Sequence, residues 1–136
     1  MTIQDQLRRD EGVRNLAYVD TMGKVTIGVG RNLTDSGVSD YEIEILLEND
    51  IQAVIRILEA RLPYFGALDP VRQGVLINMC FNMGFNGLEE FHIMLGAIAR
   101  GNWDAAAAEM LDSDWAREVG SRATRLAQQL ITGEWV

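Results

Sequence analysis

Residues 10–34 read DEGVRNLAYVDTMGKVTIGVGRNLT. Tyr18 and Val19 are strand formers, and Asp20-Thr21-Met22-Gly23 carries Asp first and Gly last, the chemistry of a tight turn. Val25, Thr26, Ile27 and Val29 make a second β-prone run, so the pattern predicts a small antiparallel sheet from about 17 to 34. Ahead of it, Thr2 is placed to cap a short helix in which Ile3 and Leu7 stand one turn apart. Gly12 is placed to end that helix, because glycine enters the left-handed conformation without a steric penalty. Glu11 then falls at a helix C-terminus, and Asp20 opens the turn between two strands.

Beyond the sheet the signals are helical. Ser39 and Glu42 form a capping box. Ile43, Leu47, Ile51, Val54, Leu58 and Leu62 recur at spacings of four and three, a single stripe on a helix over about 39–62 that Pro63 stops. Asp69-Pro70 opens the next helix as cap and first-turn proline, and its VLINMCFNM run is apolar nearly all round, as in a central buried helix. Gly84 and Asn86-Gly87 break it. Further helices are expected at Leu88–Arg100, at Trp103–Leu111 after an Asn102 cap, and at Ser121–Thr132 before Gly133. The expected fold class is α+β, mainly helical. One domain over 1–136 would hold a small β-hairpin lobe at about 12–35. Its larger helical lobe, at about 60–136, would include the N-terminal helix, and the long helix would join the two lobes.

Composition narrows the function. With 136 residues, 48% apolar and 24% charged, the chain can bury one core and is neither disordered nor a membrane protein. No apolar run approaches the roughly 20 residues of a membrane span. The polar N-terminus has no hydrophobic signal region, so synthesis and residence in the cytoplasm are expected. A single cysteine, Cys80, excludes an intramolecular disulfide, and its apolar setting reads as a buried, inert thiol. His92, the only histidine, reads as a surface or rim residue, and no ligand cluster implies a metal or other cofactor. Trp103, Trp115 and Trp135 sit at apolar positions and read as core packing rather than sugar stacking. A net charge of −8 argues against nucleic-acid binding, which draws its affinity from Lys and Arg.

Pairs of carboxylates are the usual apparatus of glycoside cleavage, one acting as acid and one directing water or attacking the sugar. Twenty acidic residues leave many pairs open. Glu11 sits where the helix dipole is unfavourable to an anion, directly after Asp10, and both effects disfavour ionisation. A carboxyl that keeps its proton is what a general acid needs. Asp20, opening a polar turn, can stay ionised near water. On local setting alone, a solvated helix end and a turn-initiating Asp fit these two residues as well as a catalytic pair does.

A longer pattern weighs in. Glu11, Gly12, Arg14, Tyr18, Asp20, Gly23, Thr26, Ile27, Gly28 and Gly30 match the run E-G-x-R-x-x-x-Y-x-D-x-x-G-x-x-T-I-G-x-G, and this stretch resembles the signature of the T4-type phage lysozymes, glycoside hydrolase family 24. LINMCFNMG (76–84), GNWDAAA (101–107), SRATR (121–125) and TGEW (132–135) resemble later segments of that family. The likeness covers nearly the whole chain, with a shorter connection between the lobes. It implies a lysozyme-like fold and a muramidase, inverting, that cleaves the β-1,4 bond between N-acetylmuramic acid and N-acetylglucosamine in bacterial peptidoglycan.

The resemblance also implies roles. Glu11 would protonate the glycosidic oxygen, Asp20 would position the attacking water or stabilise charge at the sugar, and Thr26 would hold that water. Arg122 would pair with Glu11, and Arg125 with Asp10. Gly30, Phe81 and Asn82 match glycan-contacting positions; Asn32 and Glu109 also line the cleft but depart from the family's usual residues. Arg31 replaces a frequent histidine and is left to pair with Asp69. The implied setting is a monomeric endolysin held in the host cytoplasm until a separate pore-forming protein admits it to the periplasm and wall, with no stable membrane insertion. A lysozyme module of virion tail machinery and an inactive glycan-binding or scaffold protein are the alternatives. The acidic net charge is unusual for an enzyme acting on an anionic wall.

Overall fold

The first helix, α1 (Ile3–Glu11), begins where Thr2 and Asp5 satisfy each other's amides: Asp5 N donates to Thr2 Oγ1 at 3.2 Å and Thr2 N donates to Asp5 Oδ2 at 2.9 Å. It ends at Gly12, φ +79°, whose N–H donates to Arg8 O. The computed structural model describes every residue from Met1 to Val136, and backbone contacts group them into two units, Met1–Leu47 and Glu48–Val136. α1 groups with the sheet in the first unit.

The sheet has three antiparallel strands in chain order, β1 (Arg14–Val19), β2 (Val25–Gly28) and β3 (Arg31–Asn32). Tyr18 faces Thr26 and Val19 faces Val25, with an irregularity before the Arg14–Gly28 pair; Thr26 in turn faces Asn32, and Ile27 faces Arg31. The first strand starts earlier than the expected 17 and is mostly exposed, with Tyr18 half-buried under the Arg14 guanidinium at 5.5 Å. A sheet this small holds through its turns more than through burial.

Helix α2 (Asp40–Arg61) starts at the expected capping box, Glu42 N donating to Ser39 Oγ at 3.1 Å and Ser39 N to Glu42 Oε1 at 2.9 Å. Its first turns belong to the first unit and the rest to the second. Burial along its apolar stripe rises toward the C-terminal end: Ile43 is 46% exposed, whereas Leu58 is fully buried.

In the second unit, α3 (Pro70–Glu89) is the central apolar helix, with Val75, Leu76 and Met79 fully buried. Gly84, non-helical at φ +74° and ψ 166°, breaks it into two helical stretches as the sequence predicts, whereas Asn86-Gly87 lie inside the second stretch. Leu88 therefore belongs to the end of α3, which closes at Glu89, and the helix expected from Leu88 starts only at His92 as α4 (His92–Ala99). α5 (Trp103–Leu111), capped by Asn102, packs on α4 and on α7 (Ser121–Thr132), its Ala106 and Ala107 buried where neighbouring helices come close. Between them lies a helix without an expected counterpart, α6 (Asp114–Val119), started by Ser113 Oγ accepting from Ala116 N at 3.0 Å. Six residues are too few for periodicity to register.

Cys80 is buried, and burial pushes its thiol up, as an inert thiol requires. Of the tryptophans, Trp115 is buried and Trp103 is covered by Arg72, but Trp135 is 67% exposed, contrary to a core role. Its ring lies over Gly74, where a Cβ would stand 2.5 Å from Trp135 Cη2.

Arg72 holds the end of the last helix. Its Nε donates to Leu130 O at 2.8 Å, Nη2 to Ile131 O at 3.2 Å and Nη1 to Asp69 Oδ2 at 3.1 Å, and its plane lies 4.0 Å above the Trp103 ring. Charged donors to helix-end carbonyls and a stacked cation are each worth about 1 kcal/mol or more. Arg72→Ala is expected to lower the unfolding free energy by about 2 kcal/mol in urea titrations followed by tryptophan fluorescence. A loss under about 0.5 kcal/mol, the scale of an exposed ion pair, would contradict this account.

Candidate active site

The turn between β1 and β2 is built on Asp20. Its N–H donates to Lys24 O, and its own carbonyl accepts from Gly23 N, closing the backbone. Its side chain then closes the turn a second time, because Oδ1 accepts from Met22 N at 2.8 Å and from Lys24 N at 2.9 Å. The Lys24 amide is the main cause holding this carboxyl below the usual carboxylate range; partial burial opposes it, and the Met22 amide, the Thr26 hydroxyl and the Lys24 charge act with it. Asp20 is thus an ionised carboxylate with one oxygen saturated by amides and the other, Oδ2, directed at Thr26.

Thr26 Oγ1 lies 3.4 Å from Asp20 Oδ2 and 3.2 Å from Lys24 O. Its one proton goes to one of these acceptors, and the hydroxyl's lone pairs stay available to accept a hydrogen bond beside the carboxylate. Thr26 is 3% exposed and sits on the central strand, and its β-branch adds to the stiffness of that hydroxyl's position.

Glu11, the last residue of α1, lies against the turn after β2. A Cβ on Gly30 would stand 3.2 Å from Glu11 Oε2 and 3.6 Å from its Cδ, so only a glycine lets the backbone approach this carboxyl. Gly30 also has φ +71°, which penalises any side chain. Within the first unit no donor lies in hydrogen-bond reach of the Glu11 carboxylate, whereas Asp10 beside it is taken by Arg9 at 2.8 Å. Asn32 is committed to its own loop: Nδ2 donates to Asp35 Oδ2 at 3.0 Å, and Asp35 N donates back to Asn32 Oδ1 at 2.9 Å. Gly30 and Asn32 both line a largely apolar concavity of about 830 Å³, with Ile27, Leu33, Ile45 and Leu46 around it.

The remaining expected site residues lie in the second unit. Phe81 is 46% exposed on α3. Its neighbour Asn82 accepts from Trp115 Nε1 at 2.8 Å, which fixes the amide and leaves its NH2 toward solvent. Glu109 lines a concavity of about 290 Å³ with Glu90, His92 and Asp112. Arg122 Nε donates to Asn78 Oδ1 at 2.9 Å, and Arg125 Nη1 donates to Ser121 Oγ at 3.1 Å. Asn78 and Trp115 were not singled out as site residues; the signal was their place, four residues before Asn82 and at a buried helix position. Arg31 corrects the sequence reading: it donates to Glu42 Oε1 at 2.7 Å, and Asp69 is occupied by Arg72. Glu42 had been read only as a cap.

The model of the phage lysozyme family matches residues 8–129. The chain belongs to that family. The chain is 30% identical to the pre-baseplate central spike protein Gp5 of Enterobacteria phage T4, over 98% of the chain and 28% of the longer relative. It is 29% and 27% identical to probable T4-type lysozymes 1 and 2 of Dictyostelium discoideum, over 97% of the chain and 95% of each relative. Each alignment runs over 161 positions, more than the 136 residues present, so the chain lacks segments these relatives carry. Membership supports glycoside hydrolase chemistry in general. No helix is long and apolar enough to cross a membrane.

Gly30→Ala tests the Glu11 contact. The left-handed backbone and the new methyl together are expected to cost about 1–2 kcal/mol of stability. Because the methyl presses on the carboxyl, lytic activity should fall at least tenfold at a temperature where circular dichroism shows the variant folded. Activity retained in proportion to the folded fraction would mean that Gly30 serves the turn alone.

Proposed function

We propose that the protein is an inverting muramidase that hydrolyses the β-1,4 bond between N-acetylmuramic acid and N-acetylglucosamine in bacterial peptidoglycan. The observation that carries this reading is the Asp20–Thr26 pair. A water donating one proton to Asp20 Oδ2 and the other to Thr26 Oγ1 keeps a lone pair free to attack the anomeric carbon. Asp20, already ionised and held by two amides, accepts the developing proton. Glu11 delivers its proton to the leaving glycosidic oxygen. Phe81, Asn82, Gly30, Asn32 and Glu109 are assigned to the glycan, and Arg122 and Arg125 to supporting Glu11 and Asp10, on the family resemblance.

The acting form is a monomer without a metal or organic cofactor. The biological setting proposed is host lysis: an endolysin that reaches the wall when a separate pore-forming protein opens the membrane. The 30% identity to a central spike protein over 98% of this chain supports a second setting, a lysozyme working within a virion at entry. An inactive glycan-binding protein is disfavoured by the intact Glu11, Asp20 and Thr26.

Glu11→Gln is the direct test. The amide cannot donate an acidic proton, so the rate of turbidity loss on chloroform-permeabilised Gram-negative cells should drop by about two to four orders of magnitude with the fold unchanged. Lysis by this variant at near the wild-type rate would remove Glu11 from the chemistry.

A further inference from the structure

Arg31 and Glu42 occupy a position that the hydrolytic steps above leave unused. Arg31 lies in β3, directly after Gly30, and its Nη1 donates to Glu42 Oε1 at 2.7 Å and to Gly37 O at 3.2 Å. The same Glu42 oxygen accepts from Ser39 N at 2.9 Å, and Ser39 Oγ accepts from Glu42 N at 3.1 Å. The Arg31 guanidinium and this carboxylate oxygen together therefore join three pieces of chain: β3, the loop carrying Gly37, and the first turn of α2. Arg31 and Glu42 line the concavity that Gly30 also lines. On its other side, Gly30 is the backbone surface on which the Glu11 carboxyl rests.

We infer that Arg31 and Glu42 are a positioning pair for the general acid, tying the Gly28–Gly30 turn to α2 so that Gly30 stays seated against Glu11. The inference rests on the proposal that Glu11 is that acid. The two side chains are 41% and 36% exposed, and an ion pair so exposed adds little to stability. What it supplies is geometry. Gly28 and Gly30 both have positive φ within three residues, so the turn between them is intrinsically loose and gains from a tether at its end. A misplacement of about 1 Å at a reacting group can cost up to a hundredfold in rate. The pair is also insensitive to pH in the working range. The Arg31 hydrogen bond, followed by those of Ser39, holds the Glu42 carboxyl down to about 2. Being depressed, it contributes fully above its ordinary value and is lost only as pH falls toward that figure.

The experiment compares kcat and KM on soluble uncrosslinked peptidoglycan strands for wild type, Arg31→Ala, Glu42→Gln, the double variant and Arg31→Lys, with Glu11→Gln alongside. Glu42→Gln keeps an oxygen to accept from Ser39 and removes only the charge, so it reads the pair even if Arg31→Ala does not fold. The expected result is a fall in kcat of about tenfold in each single variant with KM within twofold. The double variant should be no worse than the singles, because both remove one interaction. Arg31→Lys should recover most of the rate, and the ratio of wild-type to Glu42→Gln kcat should stay constant from about pH 5 to 8. Single variants within twofold of wild-type kcat, or losses that follow the unfolded fraction, overturn the positioning role while Glu11→Gln remains inactive. A fully active Glu11→Gln instead overturns the underlying assignment.

Discussion

The Asp20 carboxylate is the constraint on which the first unit is organised. A three-stranded sheet with most of β1 in water has little apolar area to fix its register. Two amide hydrogen bonds to Oδ1 close the turn, and that closure sets Tyr18 opposite Thr26. The same two bonds lower the proton affinity of the carboxylate and leave Oδ2 beside the Thr26 hydroxyl. Fold and chemistry therefore share one set of contacts. A substitution at Asp20 therefore disturbs the turn as well as the carboxylate, whereas the Glu11 carboxylate holds no turn together.

What was legible in the sequence is what depends on neighbours within four residues. Thr2 with Asp5, Gly12 after Glu11, the Asp20 turn, Ser39 with Glu42 and Asp69 with Pro70 all act over such distances, and each stands as read. The failures involve partners chosen by the fold. Arg31 has Glu42 eleven residues on, an interaction that the capping role of Glu42 concealed. The helix expected from Leu88 starts only at His92, because Leu88 and Glu89 still belong to the helical stretch that follows the Gly84 break. Trp135 has the apolar character of a core residue, yet it is largely exposed with its ring over Gly74. The candidate site divides in the same way. Glu11, Asp20, Thr26 and Gly30 could be named from a gapped motif, while the Trp115 bond that orients Asn82 spans thirty-three residues and leaves no local trace.

The acidic balance also has a local reading. A net charge of −8 opposes approach to an anionic wall at long range, but screening reduces that to about 8–10 Å at physiological ionic strength. Several of the arginines already hold partners within the fold: Arg72 the end of α7, Arg31 Glu42, and Arg122 Asn78. The Asp20 charge is held mainly by the Lys24 backbone amide rather than by distant cations.

The central claim is that Asp20 and Thr26 hold a water for direct attack, with no bond formed between enzyme and sugar. Proton NMR of the first-formed reducing sugar, recorded before mutarotation, reads this directly. Attack by that water on a β-linked substrate must yield the α-anomer first. Initial release of the β-anomer, or a glycosyl-enzyme trapped on Asp20, would contradict the account.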